Sequence, residues 1–298
     1  MIWLSHFSIT SSTTLVTPTY TGGMAQTLPA IALLGTGKMG GAILEGLLQP
    51  DVHAASVRAT TNSEVSAEAL RGKGVEARSL EVDADANEWA VAGADIVILG
   101  VKPHYILELA QSVAHALAPG AIVVSVAAGI TTDQIESVVK HAVVRAMPNT
   151  PSQIQKGVTG LAAGARASVD QVAQIQQVFE LVGDVVVVAE EDINVLSALS
   201  GSGPAYLFYV AEKMMAVATD RGFTPEQART MVQGTLVGAA ALLDVSGETP
   251  EALRKAVTSP GGTTEQAIAV FDEHNLGAVF SEAVDRAVAR AIEMAQAQ

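Results

Sequence analysis

Three glycines, Gly35, Gly37 and Gly40, form a G-x-G-x-x-G pattern between an apolar run and an Ala/Leu-rich segment. Residues 31–34 predict a short buried strand, and the segment that reaches Leu48 predicts a helix. In this setting the first glycine makes the turn, the second lets the backbone approach a pyrophosphate, and the helix N-terminus offers free N–H donors. The pattern therefore predicts a dinucleotide-binding unit. A tight turn that binds nothing is the alternative.

Apolar runs alternate with helical patterns from residue 31 to about residue 188. Strands are predicted at residues 31–34, 56–60, 94–101, 121–126, 142–145, 158–162 and 185–188, with helices up to residue 48 and at residues 63–71 and 169–181. Alternation of this kind specifies a parallel sheet with helices on both faces. We therefore expect an α/β domain of the Rossmann type, with a doubly wound parallel sheet, over residues 28–189.

The character of the sequence changes at Glu190, where strand signals stop. Long Ala/Leu/Val/Met patterns at helical spacing continue to the C-terminus, and Thr-Pro-Glu at 224–226 is a typical helix start. An all-α domain is therefore expected over residues 190–298. Because about a hundred helical residues with few aromatic side chains make a thin core, we predict dimerisation through this domain.

The composition excludes several classes of partner. The 298 residues include 17 Lys and Arg and 31 Asp and Glu, which gives a net charge of −14. Nucleic acid is therefore not expected as a partner, because phosphate backbones bind basic surfaces. The chain has no cysteine, and its six histidines never fall at paired ligand spacing, so no metal site is expected. No uninterrupted apolar run reaches the roughly 18 residues of a membrane span, which predicts a soluble protein.

The first 27 residues show neither helical nor strand periodicity. They are rich in Ser and Thr and contain no Lys or Arg, so they lack the basic region of a secretory signal and the arginines of a transit peptide. We expect residues 1–27 to form a disordered N-terminal extension, with Met24 as an alternative start and a cytoplasmic location.

The end of the second predicted strand indicates which dinucleotide is bound. An acidic residue there would bind the ribose 2′-hydroxyl of NAD, yet none occurs between Asp51 and Glu64. Residues 58–63 instead offer one cation together with hydroxyl and amide groups, which suit a 2′-phosphate. NADPH is therefore favoured, with NADH as the alternative, although Arg58 could equally be a solvated strand residue. The candidate ligands are Arg58, Thr60, Thr61 and Asn62.

Two more segments follow predicted strands at the edge where such sheets bind ligands. A lysine after the strand at 94–101 either faces the dinucleotide or only caps the strand. Small residues after the strand at 121–126 either let the nicotinamide ribose lie against the backbone or only allow close packing of sheet on helix. The residues concerned are Val101, Lys102, Pro103, Val126, Ala127 and Ala128.

The string SPGGTT at 259–264 is the most informative feature of the second half. Its proline fixes a turn, its two glycines expose the backbone, and its two threonines open a helix. Unpaired N–H groups and the positive end of the helix dipole suit a small carboxylate. The string therefore predicts a neutral anion site, with a simple helix cap as the alternative.

Six strings together resemble the pyrroline-5-carboxylate reductase family over residues 31–295. They are GTGKMG at 35–40, VKP at 101–103, VAAGIT at 126–131, RAMPNTP at 145–151, LSGSGPAY at 199–206 and VTSPGGTT at 257–264. The resemblance implies a Rossmann domain followed by a helical dimerisation domain, with NAD(P)H as reductant. It also implies reduction of 1-pyrroline-5-carboxylate to L-proline, the last step of proline biosynthesis, by a homodimer or a decamer of dimers.

The resemblance also implies roles for individual residues. The substrate carboxylate would meet Ser259 and the backbone of Gly262 and Thr263. Thr264 would be the catalytic residue, bonding the ring nitrogen through its hydroxyl, and Glu190 would lie near the amine. The implied cofactor contacts are Gly35, Thr36, Gly37, Lys38, Met39, Gly40, Thr61, Asn87, Lys102, Ala127 and Ala128. Because the cofactor supplies the hydride and positioning supplies much of the rest, no acid–base triad is expected.

Two other functions are alternatives to the reduction of 1-pyrroline-5-carboxylate. A β-hydroxyacid dehydrogenase has a similar domain order but needs a lysine one helical turn after a G-x-G at the start of the second domain. Here residues 201–203 are followed by Pro204, and the next lysine is Lys213, so that base is missing. A non-catalytic NADP-binding sensor would fit the fold but does not need a carboxylate site.

Overall fold

The computed structural model describes residues 26–296, which form one eight-stranded sheet followed by a helical region. The strands are β1 (Gln26–Leu34), β2 (Val52–Thr61), β3 (Glu76–Ser79), β4 (Ile96–Leu99), β5 (Ile122–Ser125), β6 (Ala142–Met147), β7 (Gly157–Ala163) and β8 (Gly183–Val187). Most of the expected extension at 1–27 lies outside the described residues, and β1 begins within its last two residues.

The strands pair in the order β3-β2-β1-β4-β5-β6-β7-β8. The doubly wound parallel sheet is confirmed for β1 to β6, and β8 is parallel to β7. The pair β6–β7 is antiparallel, contrary to the prediction of a purely parallel sheet. The reason is the short connection at residues 148–156, since a parallel neighbour requires a crossover of a dozen or more residues.

Six helices flank the sheet. They are α1 (Lys38–Leu47), α2 (Glu64–Arg71), α3 (Ala86–Val91), α4 (Ile106–Val113), α5 (Thr132–Glu136) and α6 (Val169–Glu180). Side chains of β4 and β5 alternate between two buried clusters, as the two-residue period of a strand requires. Ile98 and Val124 face α1 and α6, whereas Leu99 and Val123 face α4 and α5. Helices on both faces therefore bury the sheet, and its carboxyl edge remains available to ligands.

The chain is helical after residue 192. The helices are α7 (Ile193–Leu196), α8 (Gly203–Asp220), α9 (Pro225–Ser246), α10 (Pro250–Ala256), α11 (Thr263–Glu273) and α12 (Leu276–Gln296). Thr224 caps α9 with a reciprocal bond to Gln227, as the Thr-Pro-Glu start predicts. Within residues 26–296, no helix is long and apolar enough to cross a membrane.

Large apolar side chains on these helices are exposed in the single chain. Phe208 on α8 is 68% exposed and Val237 on α9 is 71% exposed, whereas only Ala228 and Val232 of α9 are buried. Exposed apolar surface of this extent marks a protein–protein interface. This surface is consistent with the predicted dimerisation through the helical region.

Candidate functional site

The glycine-rich turn between β1 and α1 is a tightly packed backbone cradle. Gly35 has a φ of +86°, which favours glycine. A Cβ on Gly40 would lie 2.6 Å from the Gly35 carbonyl oxygen, and one on Gly100 would lie closer still. Gly37, in contrast, faces open space, with no heavy atom within 4 Å of a Cβ placed there. The outer glycines thus permit close packing, and the middle one leaves room for a ligand.

The N-terminus of α1 also suits an anion. Gly37 caps the helix without a side-chain hydrogen bond, and the first turn has no acidic residue. Free N–H groups and the positive end of the dipole therefore point into the space beside Gly37. Lys38 and Met39 continue this first turn, with Lys38 exposed. These residues fit the pyrophosphate of a dinucleotide.

Side chains from β2 and α3 support the same turn. The Gly35 N–H donates to both the carbonyl and the hydroxyl oxygen of Thr60, at 3.3 Å each. The Thr60 hydroxyl donates to Asn87 Oδ1 at 2.8 Å, and the Thr36 hydroxyl donates to the Thr60 carbonyl at 3.4 Å. The structure therefore brings Gly35, Thr36, Thr60 and Asn87 together.

The neighbouring strand ends lie at the same edge of the sheet. The Val101 side chain would be 2.8 Å from a Cβ on Gly35. Lys102 is exposed, and its carbonyl accepts from Tyr105 at the start of a short 3-10 turn that includes Pro103. The Val126 N–H donates to the carbonyl of Leu99 in β4. Both predicted segments therefore border the crevice.

The loop after β5 also contacts the helical region. Ala127 is buried, and its N–H donates to the hydroxyl of Ser125 at 3.3 Å. Ala128 is half-buried, and at Gly129 an added Cβ would lie within 4 Å of Met294 and Ala295 in α12. The small residues of this loop thus allow close packing of α12. They are also compatible with the predicted ribose contact.

Arg58 makes contacts other than the predicted one with the 2′-phosphate. It lies in β2 three residues before the strand ends, and its Nη1 donates to the carbonyls of Trp89 and Ala92 at 3.2 and 2.9 Å. The guanidinium also lies over the Trp89 ring. The sequence could not show on which face of the sheet this side chain lies. Arg58 therefore holds the end of α3.

Replacing Arg58 with alanine is expected to reduce stability without changing cofactor choice. The loss of two charge-assisted hydrogen bonds should cost about 1–2 kcal/mol of unfolding free energy, measured by urea denaturation. The ratio of NADPH to NADH dissociation constants should stay within about twofold of the parent. A clear shift of that ratio would instead return Arg58 to the cofactor site.

The remaining candidates at the end of β2 adjoin the crevice. The Thr61 hydroxyl is buried and donates to the Ser63 carbonyl at 2.8 Å, while Asn62 is exposed. Ser63 caps α2 by accepting from the Ser66 N–H. Asn62 thus lies at the tip of the turn from β2 into α2, where Rossmann domains bind the adenosine ribose.

The SPGGTT string forms the turn between α10 and α11. Gly261 has a φ of +72°, and Gly262 caps α11 without a side-chain hydrogen bond. The Gly262 N–H donates to the Ser259 carbonyl at 2.9 Å, so this amide is already engaged. The Thr263 and Thr264 N–H groups have no acceptor among the described residues. They are the available donors for a carboxylate.

This turn is largely open to solvent in the single chain. Ser259 and Thr263 are exposed, and Thr264 is half-buried. Its hydrogen bonds run within residues 254–266, including one from the Gly261 N–H to Glu265 Oε2 at 2.7 Å. The structure therefore brings the cofactor residues together as one group, and the SPGGTT residues together as another.

Glu190 lies just after β8 and forms an ion pair that the sequence did not predict. Its Oε1 accepts from Nη1 of Arg145 in β6 at 2.7 Å, and the Arg145 side chain is only 3% exposed. Glu190 Oε2 and Arg145 Nε are buried without partners. Buried charges require such pairing, which explains the arginine of RAMPNTP. The proposed contact of Glu190 with the substrate amine stays a prediction.

The RAMPNTP string at 145–151 also supports the turn that leads into the LSGSGPAY string at 199–206. Residues Ser197–Gly201 form a π-helical turn, which frees backbone carbonyls from the usual ladder. Asn149 Nδ2 donates to the Ser200 carbonyl at 3.0 Å, and the Tyr206 hydroxyl donates to the Ala198 carbonyl at 2.9 Å. The two strings therefore hold one irregular turn where the sheet meets the helical region.

These features define a class of protein. A Rossmann domain with a dinucleotide cradle precedes helices with exposed apolar side chains, as in dinucleotide-dependent oxidoreductases with a helical oligomerisation domain. Residues 190–294 match the family model described as pyrroline-5-carboxylate reductase dimerisation. Residues 30–129 match the one described as NADP oxidoreductase coenzyme F420-dependent.

Individual relatives agree over nearly the full length of the chain. Pyrroline-5-carboxylate reductase from Pseudomonas aeruginosa is 37% identical over 271 residues, which cover 90% of this chain and 97% of that protein. The enzyme of the same name from Vibrio alginolyticus is 38% identical, over 89% of this chain and 97% of that protein. The chain belongs to the pyrroline-5-carboxylate reductase family.

Solved structures show the same architecture. The pyrroline-5-carboxylate reductase of Coxiella burnetii superposes with a TM-score of 0.82 at 36% identity, covering 89% of this chain and 98% of that one. The Plasmodium falciparum structure with NADP bound has a TM-score of 0.75 at 20% identity, covering 92% and 100%, and shows the shared fold. The helical region of this chain is its homo-oligomerisation domain.

Proposed function

We propose that this protein reduces 1-pyrroline-5-carboxylate to L-proline with NADPH, with NADH as the alternative reductant. The observation that carries the proposal is a pair of helix N-termini without side-chain caps, each preceded by glycines. The N-terminus of α1 suits the pyrophosphate of the cofactor. The N-terminus of α11 suits a small carboxylate, because its first N–H groups are free and its dipole is positive at this end.

The cofactor supplies the hydride when it is bound. The glycine turn at residues 35–40 would hold the pyrophosphate, and Thr60 and Asn87 keep that turn in place. Residues 101–103 and 126–128, at the neighbouring strand ends, would contact the rest of the dinucleotide. Such an arrangement would contribute to catalysis by fixing the direction from which the hydride approaches the substrate.

The SPGGTT turn binds and orients the substrate. The free N–H groups of Thr263 and Thr264 hold the carboxylate together with Ser259, and the Thr264 hydroxyl bonds the ring nitrogen. The Gly262 N–H is engaged and therefore unavailable to the carboxylate, so this residue contributes only through its lack of a side chain. No strong acid or base is needed, since water supplies the proton to nitrogen. The residues therefore orient a reaction whose chemistry belongs to the cofactor.

The division of the chain supports this arrangement. We assign cofactor binding to residues 28–189 and substrate binding and dimerisation to residues 190–298. Because the SPGGTT turn is open to solvent in one chain, we place its completed site at the contact between subunits, in a homodimer or a decamer of dimers. A cytoplasmic location and the lack of nucleic acid partners stay predictions from the sequence.

The assay follows NADPH absorbance after addition of pyrroline-5-carboxylate. The expected result is loss of absorbance matched by formation of proline, with the enzyme plus NADPH alone as control. NADPH binding without turnover would favour a sensor. Oxidation of β-hydroxy acids with NADP+, followed as a gain of NADPH absorbance, would favour a β-hydroxyacid dehydrogenase, although Lys213 is exposed on α8 and pairs with Glu212.

A further inference from the structure

A carboxylate from a distant part of the sequence lies at the end of β2. Pairing of β3 with β2 continues past Ser79, because the Leu80 N–H donates to the Thr61 carbonyl at 2.8 Å. The next residue, Glu81, is therefore held beside the strand end. Its Oε2 accepts from the N–H of Glu64, the first residue of α2, at 2.8 Å. The sequence interval between Asp51 and Glu64 contains no acid, but the fold supplies one.

The position of Glu81 matters because the end of β2 takes part in cofactor binding in a Rossmann domain. The strand end and the following helix N-terminus meet the adenosine ribose, where a carboxylate binds the 2′-hydroxyl and repels a 2′-phosphate. Glu81 is exposed, and none of the described hydrogen bonds uses its second oxygen. One oxygen thus holds the helix N–H, and the other is available to a ligand.

The Glu64 carboxylate, also near the end of β2, is held by a hydroxyl of β3 and by an arginine of its own helix. Glu64 accepts from the Ser79 hydroxyl at 2.6 Å and from Arg71 Nη2 at 2.5 Å. These hydrogen bonds, that from Ser79 first and that from Arg71 second, hold the pKa of Glu64 below its usual value. Glu64 therefore stays ionised and bound on the β3 side, which leaves Glu81 as the carboxylate that can change partners.

The nearby cations are already paired. Arg78 lies over the Trp89 ring and bonds Asp83 at 2.8 Å. Arg58 donates to the end of α3, as described above. A 2′-phosphate at the end of β2 therefore meets the Glu81 carboxylate before it meets a free guanidinium among the described residues.

We propose that Glu81 sets the choice between NADH and NADPH in this protein. With NADH it accepts a hydrogen bond from the ribose 2′-hydroxyl. With NADPH the 2′-phosphate displaces Glu81 from the Glu64 N–H and takes that donor itself. The inference rests on the proposed function for its cofactor site, and it makes Glu81 the source of the penalty against NADPH.

The test is Glu81→Gln, which removes the charge and keeps an acceptor for the Glu64 N–H. Calorimetry with adenosine 2′,5′-bisphosphate and with AMP measures the effect of the 2′-phosphate directly. Affinity for the bisphosphate should rise about tenfold, the effect of one removed like-charge contact, with AMP changed less than about twofold. The ratio of kcat/KM for NADPH to that for NADH should rise by the same factor.

The matched control is Glu68→Gln, one helical turn further along α2. Glu68 is exposed, and the substitution removes the same charge. An equal gain in both variants would reduce the effect to net charge and overturn the proposal, as would an unchanged ratio in Glu81→Gln. If the parent enzyme reduces pyrroline-5-carboxylate while Glu81→Gln behaves like the parent, only this inference fails. If the parent shows no turnover, the proposed function fails instead.

Discussion

Replacing Gly40 with alanine is expected to raise the dissociation constant of NADPH by about a hundredfold. The new Cβ would lie 2.6 Å from the Gly35 carbonyl oxygen, a backbone atom that cannot rotate away. The same oxygen is packed against Gly100, and the Gly35 N–H is bonded to Thr60. The turn must therefore shift as a whole. We expect a loss of affinity of the same order as the roughly 10²-fold that a 1 Å misplacement costs in reaction rate, measured by the change in NADPH fluorescence on binding.

Gly41 provides the control in the same helix. A Cβ at this position meets no heavy atom within 4 Å. Alanine also favours a helix by about 1 kcal/mol over glycine, so Gly41→Ala should bind NADPH normally and unfold at slightly higher temperature. Equal loss of binding in both variants would show that helix composition, rather than contact with Gly35, determines affinity.

Local patterns in the sequence predict much of the Rossmann domain. The G-x-G-x-x-G pattern specifies a strand, a turn and a helix in succession, and the structure has β1, the turn and α1 there. The helix start at Thr224 also depends only on neighbouring residues. Such features are predictable because the interactions that fix them are short in sequence.

Short elements, and features that depend on distant contacts, were not predictable in this way. Strand β3 has four residues and α3 has six, too few to show a clear period. The placement of Glu81 depends on the register between β2 and β3. The pairing of Arg145 with Glu190 joins residues 45 positions apart. The last two features require knowing which strands are neighbours, which a single sequence does not show.

The two parts of the candidate site differ in the same way in how far the sequence predicts them. The cofactor turn was predictable because one local unit forms it. The substrate turn was predictable as a helix start, but its engaged Gly262 N–H results from the turn geometry after Ser259. The relation between the two halves depends on assembly, because the SPGGTT turn is exposed in the single chain.

Replacing Thr264 with alanine is expected to lower kcat/KM for pyrroline-5-carboxylate by about ten- to a hundredfold. Thr264 lies in the first turn of α11, and its hydroxyl has no partner among the described residues. The proposed bond from this hydroxyl to the ring nitrogen contributes about 1.5–3 kcal/mol, as expected for a hydrogen bond to a charged group. Steady-state kinetics at saturating NADPH measure the loss.

Two further substitutions at Thr264 separate the hydroxyl from the shape of the side chain. Thr264→Ser keeps the hydroxyl and should recover most of the activity, whereas Thr264→Val keeps the volume and should be as slow as Thr264→Ala. NADPH affinity should be the same in all three, because the cofactor residues form a separate group in the Rossmann domain. Parent-like kinetics in Thr264→Ala, or equal losses in the serine and alanine variants, would remove the hydroxyl from the mechanism.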